Sequence, residues 1–205
     1  MGRLCLSLFT ILALASPSFA EVFRDLEPPE NVGYSLPRDS DHPLSRVESA
    51  RFAAGTWNFH GYGSAALGKS ARKVYAGHVA LGYHLLDNFS VNLEGVGYFI
   101  DQTHDTAALG LNLLPRWHYW HRQNWSLFLD GGAGIIYSHK TLRDPGTHLN
   151  FTLQGGLGAT YDLTDSFVPI SGVRWFHISN AHIRGKERNV GFDSPMFYLG
   201  LMVPF

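Results

Sequence analysis

The sequence predicts an all-β chain: an eight-stranded antiparallel transmembrane β-barrel. Three observations predict it. From about Thr56 onward, apolar residues recur at every second position, the period of a strand. The face they build is large and aromatic, while the opposite face is small, glycine-rich or polar and carries charges in mid-strand. The connections alternate between short and long. A soluble barrel buries its large apolar face, whereas a small membrane barrel turns that face to lipid and packs a polar interior.

The chain ahead of the barrel sets the compartment. "MGRLCLSLFTILALASPSFA" has Arg3, an apolar stretch from Leu4 to Ala15, and small residues at Ser18 and Ala20. It reads as a secretory signal peptide over 1–20, since a spanning helix needs about 20 apolar residues. The single cysteine, Cys5, would leave with it, so no disulfide or thiol chemistry is expected. Residues 21–50 are polar and proline-bearing and read as a periplasmic extension, with a short helix considered near Ser45–Phe52. The barrel domain is then 51–205. A net charge of −1 gives no global field for nucleic acid.

Strands are expected near 54–63, 72–86, 88–100, 106–120, 124–138, 148–163, 166–180 and 191–205, an even number, as single-chain barrels require. In "VYAGHVALGYHLL", Tyr75, Val79, Leu81 and Tyr83 oppose Ala76, His78, Ala80 and His84. In "FSVNLEGVGYF", Phe89, Val91, Leu93 and Phe99 oppose Asn92, Glu94 and Tyr98. "WSLFLDGGAGIIYS" sets Leu127, Leu129 and Ile135 against Ser126, Asp130 and Gly134, and "LNFTLQGGLGATYDL" sets Phe151, Leu153 and Leu157 against Asn150, Thr152 and Gln154. Trp57, Trp117, Tyr119, Trp125 and Tyr161 lie near strand ends, where aromatic girdles sit. The last strand puts Phe197, Leu199, Leu201, Val203 and terminal Phe205 on the lipid face. "LDN", "HRQN" and "LTDS" are short turns, expected in the periplasm; the longer connections fall outside.

The seventh strand breaks the pattern. Val173 and Trp175 continue the lipid-facing row, and His177 and Ser179 lie on that row too. Arg174, Phe176 and Ile178 point inward. An unpartnered polar group facing hydrocarbon costs several kcal/mol. Same-face neighbours on a strand are about 6.6 Å apart, which can bring an imidazole to a hydroxyl as a base to a nucleophile. Asp193 shares the outward parity of Phe197 and begins the next strand. His177, Ser179 and Asp193 therefore converge on one external patch near the extracellular rim.

"FHISNA…NVGFD" resembles the signature of the PagL family, the outer-membrane lipid A 3-O-deacylases. That pattern is His-x-Ser-Asn-Ala, a loop, then Asn-x-Gly-x-acid; here it falls on His177, Ser179, Asn180, Ala181, Asn189, Gly191 and Asp193. The resemblance implies Ser179 as nucleophile, His177 as general base and acid, and Asp193 as its orienter. Asn180 and Asn189 would serve the oxyanion or position it, with the backbone N–H just after Ala181. The family's acid is commonly Glu, one methylene longer than Asp193, and the loop before Asn189 is slightly longer here. The implied substrate is the 3-hydroxyacyl ester at the 3-position of lipid A, in lipopolysaccharide of a Gram-negative outer membrane. No cofactor is implied, and a homodimer is left open.

Blander alternatives stand beside this reading. His177 and Ser179 could bind lipid head groups, Asp193 could be a strand-start residue, and Asn180 and Asn189 could be turn residues. The cations Lys69, Arg72, Lys73, Lys140, Arg143, Arg184, Lys186 and Arg188 could meet lipopolysaccharide phosphates or merely solvate the loops. His60, His78, His84 and His118 read as inward residues spread over different strands rather than a zinc set. A non-enzymatic adhesin or scaffold, or a barrel hydrolase of another lipid ester, are the rival functions.

Overall fold

The computed structural model describes residues 51–68, 73–142, 146–183, 185, 188, 189 and 191–205. Eight antiparallel strands close into a barrel in sequence order: β1 (Trp57–Leu67), β2 (Lys73–Leu86), β3 (Phe89–Asp101), β4 (Thr106–Arg122), β5 (Trp125–Ser138), β6 (Leu149–Tyr161), β7 (Val168–Ser179) and β8 (Phe192–Pro204). The β1–β8 pairing closes the ring, from Asn58↔Pro204 to Ala66↔Met196. Every expected strand is present. The signal peptide and the 21–50 extension lie outside the described residues, as do Lys69, Arg72, Arg143, Arg184 and Lys186 and most of the helix considered near 45–52.

The two faces separate as the alternation predicts. Leu81, Leu93, Phe99, Leu111, Leu129, Ile135, Leu153, Leu157, Phe197 and Leu199 stand outward and exposed. Such a belt is stable only against hydrocarbon, which makes this a transmembrane barrel of the outer-membrane kind. At the short-turn rim the girdle pairs Trp57 with Tyr83 and Trp125 with Tyr161. A register shift between His118 and Trp120 lets Trp117, Tyr119 and Trp120 all face out. Asn88 and Gln123 turn the tight hairpins with φ of 64° and 51°.

The interior is a polar network. Arg174 on β7 grips Asp130 on β5 with two bonds, Nε to Oδ1 at 3.1 Å and NH2 to Oδ2 at 2.8 Å. Its NH1 reaches Tyr62 OH at 3.1 Å and Glu94 Oε2 at 3.5 Å. Arg116 adds a second cation on Asp130 Oδ2 at 2.9 Å. Asn112 donates to Glu94 at 2.8 Å, and Thr152 donates to Asn112 at 2.6 Å. Two arginines thus face two buried carboxylates, and β1, β3, β4, β5, β6 and β7 all contribute. Glycine admits this packing: a Cβ at Gly172 would lie 2.4 Å from the Tyr198 hydroxyl. The inner side of β7 is therefore fixed from across the barrel, which steadies its outer side.

Candidate active site

His177 and Ser179 occupy the last turns of the pleat on β7, and Asp193 the second residue of β8. Their neighbours Phe176 and Ile178 on one strand and Phe192 and Ser194 on the other are buried inside. Period 2 then forces His177, Ser179 and Asp193 onto the lipid face. The register places His177 directly opposite Asp193, and Leu153 opposite His177 on its other side.

Asp193 Oδ1 accepts a hydrogen bond from His177 Nδ1 at 2.7 Å. The shorter acid therefore reaches the ring without the extra methylene of Glu. This bond commits Nδ1 and leaves Nε2 as the nitrogen available to another group. Ser179 is next along the same face. No hydrogen bond joins its hydroxyl to the imidazole, although the spacing allows one. Such bonds are often loose before substrate binds.

The connection after β7 is built by its asparagines. Ala181 and His182 both take left-handed backbone, with φ of 52° and 63°, a conformation costly for residues with a Cβ. Asn180 is buried and holds the turn at both ends: its Nδ2 donates to Arg188 O at 2.8 Å, and its Oδ1 accepts from His182 N–H at 3.0 Å. The N–H after Ala181, the expected oxyanion donor, is thus occupied by Asn180. Asn189 Oδ1 accepts from the Asn180 backbone N–H at 2.8 Å, so its Nδ2 faces the other way. Gly191 lies beside the imidazole, where a Cβ would meet His177 Cε1 at 3.7 Å. Of the cations expected outside, Lys73, Lys140 and Arg188 are exposed at the long-loop end. One neighbour escaped the motif: the Trp175 indole stacks on His177 at 5.4 Å between centroids. Its signal was available, two residues before the histidine on the same face, but it read as one more lipid-facing aromatic.

The family model for lipid A 3-O-deacylase (PagL) matches residues 49–202. The chain belongs to the PagL family. That match runs from just before β1 to within the end of β8, so it takes in nearly all of the barrel as well as the motif. Among solved structures, the outer membrane enzyme PagL is similar at 15% identity and a TM-score of 0.57, covering 71% of this chain and 99% of that one. Neisserial surface protein A aligns at 12% identity and 0.54, covering 73% and 96%. OprG of Pseudomonas aeruginosa aligns at 13% and 0.51, covering 75% and 97%. At these identities the neighbours share the eight-stranded fold, and membership of the PagL family rests on the sequence match. No curated protein matches the sequence.

Proposed function

We propose that this PagL-family barrel is a serine hydrolase that removes the 3-hydroxyacyl chain esterified at the 3-position of lipid A. The observation that carries the reading is the His177–Asp193 hydrogen bond on the lipid-facing side, with Ser179 next along the row. A lipid ester in the outer leaflet can reach this patch sideways without leaving the membrane.

In this mechanism His177 Nε2 takes the Ser179 proton as Oγ attacks the ester carbonyl carbon. Asp193 holds the ring through Nδ1 and stabilises the imidazolium that forms. Asn189, with Oδ1 already committed to the Asn180 N–H, offers Nδ2 to the developing oxyanion. Asn180 positions it by bracing the turn. Collapse breaks the bond to the sugar oxygen, which receives the proton from His177. Water then attacks the acyl-serine, with His177 again as base, and releases a 3-hydroxy fatty acid. Every proton passes through one imidazole, and no cofactor enters.

Mass spectrometry of lipid A from cells expressing the wild type and Ser179→Ala tests this. The wild type should lose one hydroxyacyl chain from the 3-position, and the variant should not. Loss in both strains, or in neither, would sink the reading. Loss from another position would leave the chemistry standing and reassign the ester.

A further inference from the structure

Four of the five tryptophans, Trp57, Trp117, Trp120 and Trp125, sit toward the short-turn rim, one of the two rims where indoles anchor barrels among head groups. Trp175 is the exception. It lies in the long-loop half of β7, and its ring plane is within 16° of the His177 imidazole. We propose that Trp175 is a positioning residue for the deacylation: it holds the plane of the His177 ring so that Nε2 stays turned to Ser179. The proposal rests on the serine-hydrolase reading above.

The need for such a residue follows from the geometry. The bond to Asp193 fixes the imidazole at one point and leaves the ring free to swing about it. The Asp193 side chain is 58% exposed, so water and head groups compete for that bond. On the opposite flank, β6 presents Leu153, which offers no polar restraint. Asp193 is the charged group facing the ring from β8, and none faces it from β6. A planar stack supplies the missing constraint. The indole face also attracts the imidazolium that forms when His177 takes the serine proton, so the contact strengthens during the reaction.

The neighbouring strands set small residues beside the indole. Trp175 pairs with Gly155 on β6 and Pro195 on β8. A Cβ at Gly155 would meet nothing within 4 Å, so that side of the indole is open. Pro195 gives up a backbone N–H, which costs little because the β1–β8 pairing begins only at Met196.

The test uses the full-length barrel refolded in detergent, with purified lipid A as substrate, comparing wild type, Trp175→Phe and Trp175→Leu. Leucine keeps apolar bulk and removes the ring. Trp175→Leu should keep KM within about 2-fold and lower kcat by about 10- to 100-fold, the scale of a small misplacement of a reacting group. Trp175→Phe should recover most of the loss. In carbon-resolved NMR, the His177 Cε1–H resonance, assigned through His177→Gln, should move downfield when the ring current is lost. An unchanged kcat in Trp175→Leu, an effect confined to KM, or an unmoved resonance would overturn the proposal. If the wild type itself releases no hydroxy acid, the deacylase reading fails first and takes the positioning role with it.

Discussion

At the scale of single residues, the acid of the proposed site decides most. Asp193 is one methylene shorter than the family's common Glu, yet it reaches His177 Nδ1 at 2.7 Å. It does so because it stands directly opposite the histidine in the ladder, where no extra reach is needed. Two substitutions separate reach from charge. Asp193→Asn keeps the shape but loses the anion, and it can present an N–H to Nδ1, which favours the wrong tautomer. It should lower the rate of hydroxyacyl release by about 10²- to 10⁴-fold, the scale of losing general-base support. Asp193→Glu keeps the charge but pushes the carboxylate past its position, and should cost about 10-fold through misplacement. Initial rates on purified lipid A check both. A rate for Asp193→Asn equal to wild type would remove the acid from the mechanism.

At the scale of elements, β7 carries the proposed site on one face and its own anchor on the other. Arg174 is fully buried and ties the strand to Asp130 and Glu94. Removing one partner of a buried ion pair leaves the others uncompensated, at about 3–5 kcal/mol. Arg174→Leu should therefore lower the unfolding free energy of the barrel by that order, seen as a lower urea midpoint in the gel-mobility shift between folded and unfolded forms. Arg174→Lys should recover only part, since a lysine cannot make the two-bond grip on Asp130. If Arg174→Leu unfolds at the wild-type midpoint, the network does not hold β7. This strand also shows what a sequence can and cannot disclose. Its parity was legible because lipid outside and polar packing inside impose a strict period of 2, and one break in that period exposed His177 and Ser179. The loop after it was not legible. Its shape depends on left-handed backbone at Ala181 and His182, residue types that do not announce that conformation, and on the two ends of Asn180, whose partners Arg188 O and His182 N–H are set by the folded turn. Strand ends drifted for a related reason: the first strand begins at Trp57 rather than near 54 because residues 51–56 fold back over the barrel mouth.

At the scale of the whole molecule, that fold-back closes the end opposite the site. The Phe52 ring is buried on His118 at 4.1 Å, with His121 and His84 around it. Phe52 O accepts from Asn88 N–H at 2.7 Å, and Ala54 N–H donates to Asp87 at 2.9 Å, which ties the segment to the β2–β3 turn. Arg51 pairs with Asp162 beyond the end of β6. Burial pushes the Asp162 carboxyl up from its ordinary range, while the Arg51 guanidinium pulls it back. The folded state therefore holds this proton to a higher pH than the unfolded chain does. In the window between the two titrations the folded state binds more protons, so stability falls as pH rises through it. Above that window Asp162 is ionised and only Arg51 offsets the cost of keeping the anion half-buried. Arg51→Ala should consequently destabilise the barrel more at pH 7 than at a pH low enough to protonate Asp162. Equal midpoint losses at both pH values would rule out the pairing as the source. Strands of 11–17 residues at about 3.3 Å per residue put this cap across the membrane from Ser179. The same variant, corrected for its folded fraction, should therefore release hydroxy fatty acid at the wild-type rate. A fall in that corrected rate would mean that the two rims are coupled through the interior network, and Arg174, which reaches from β7 to β1, β3 and β5, would be the residue to substitute next.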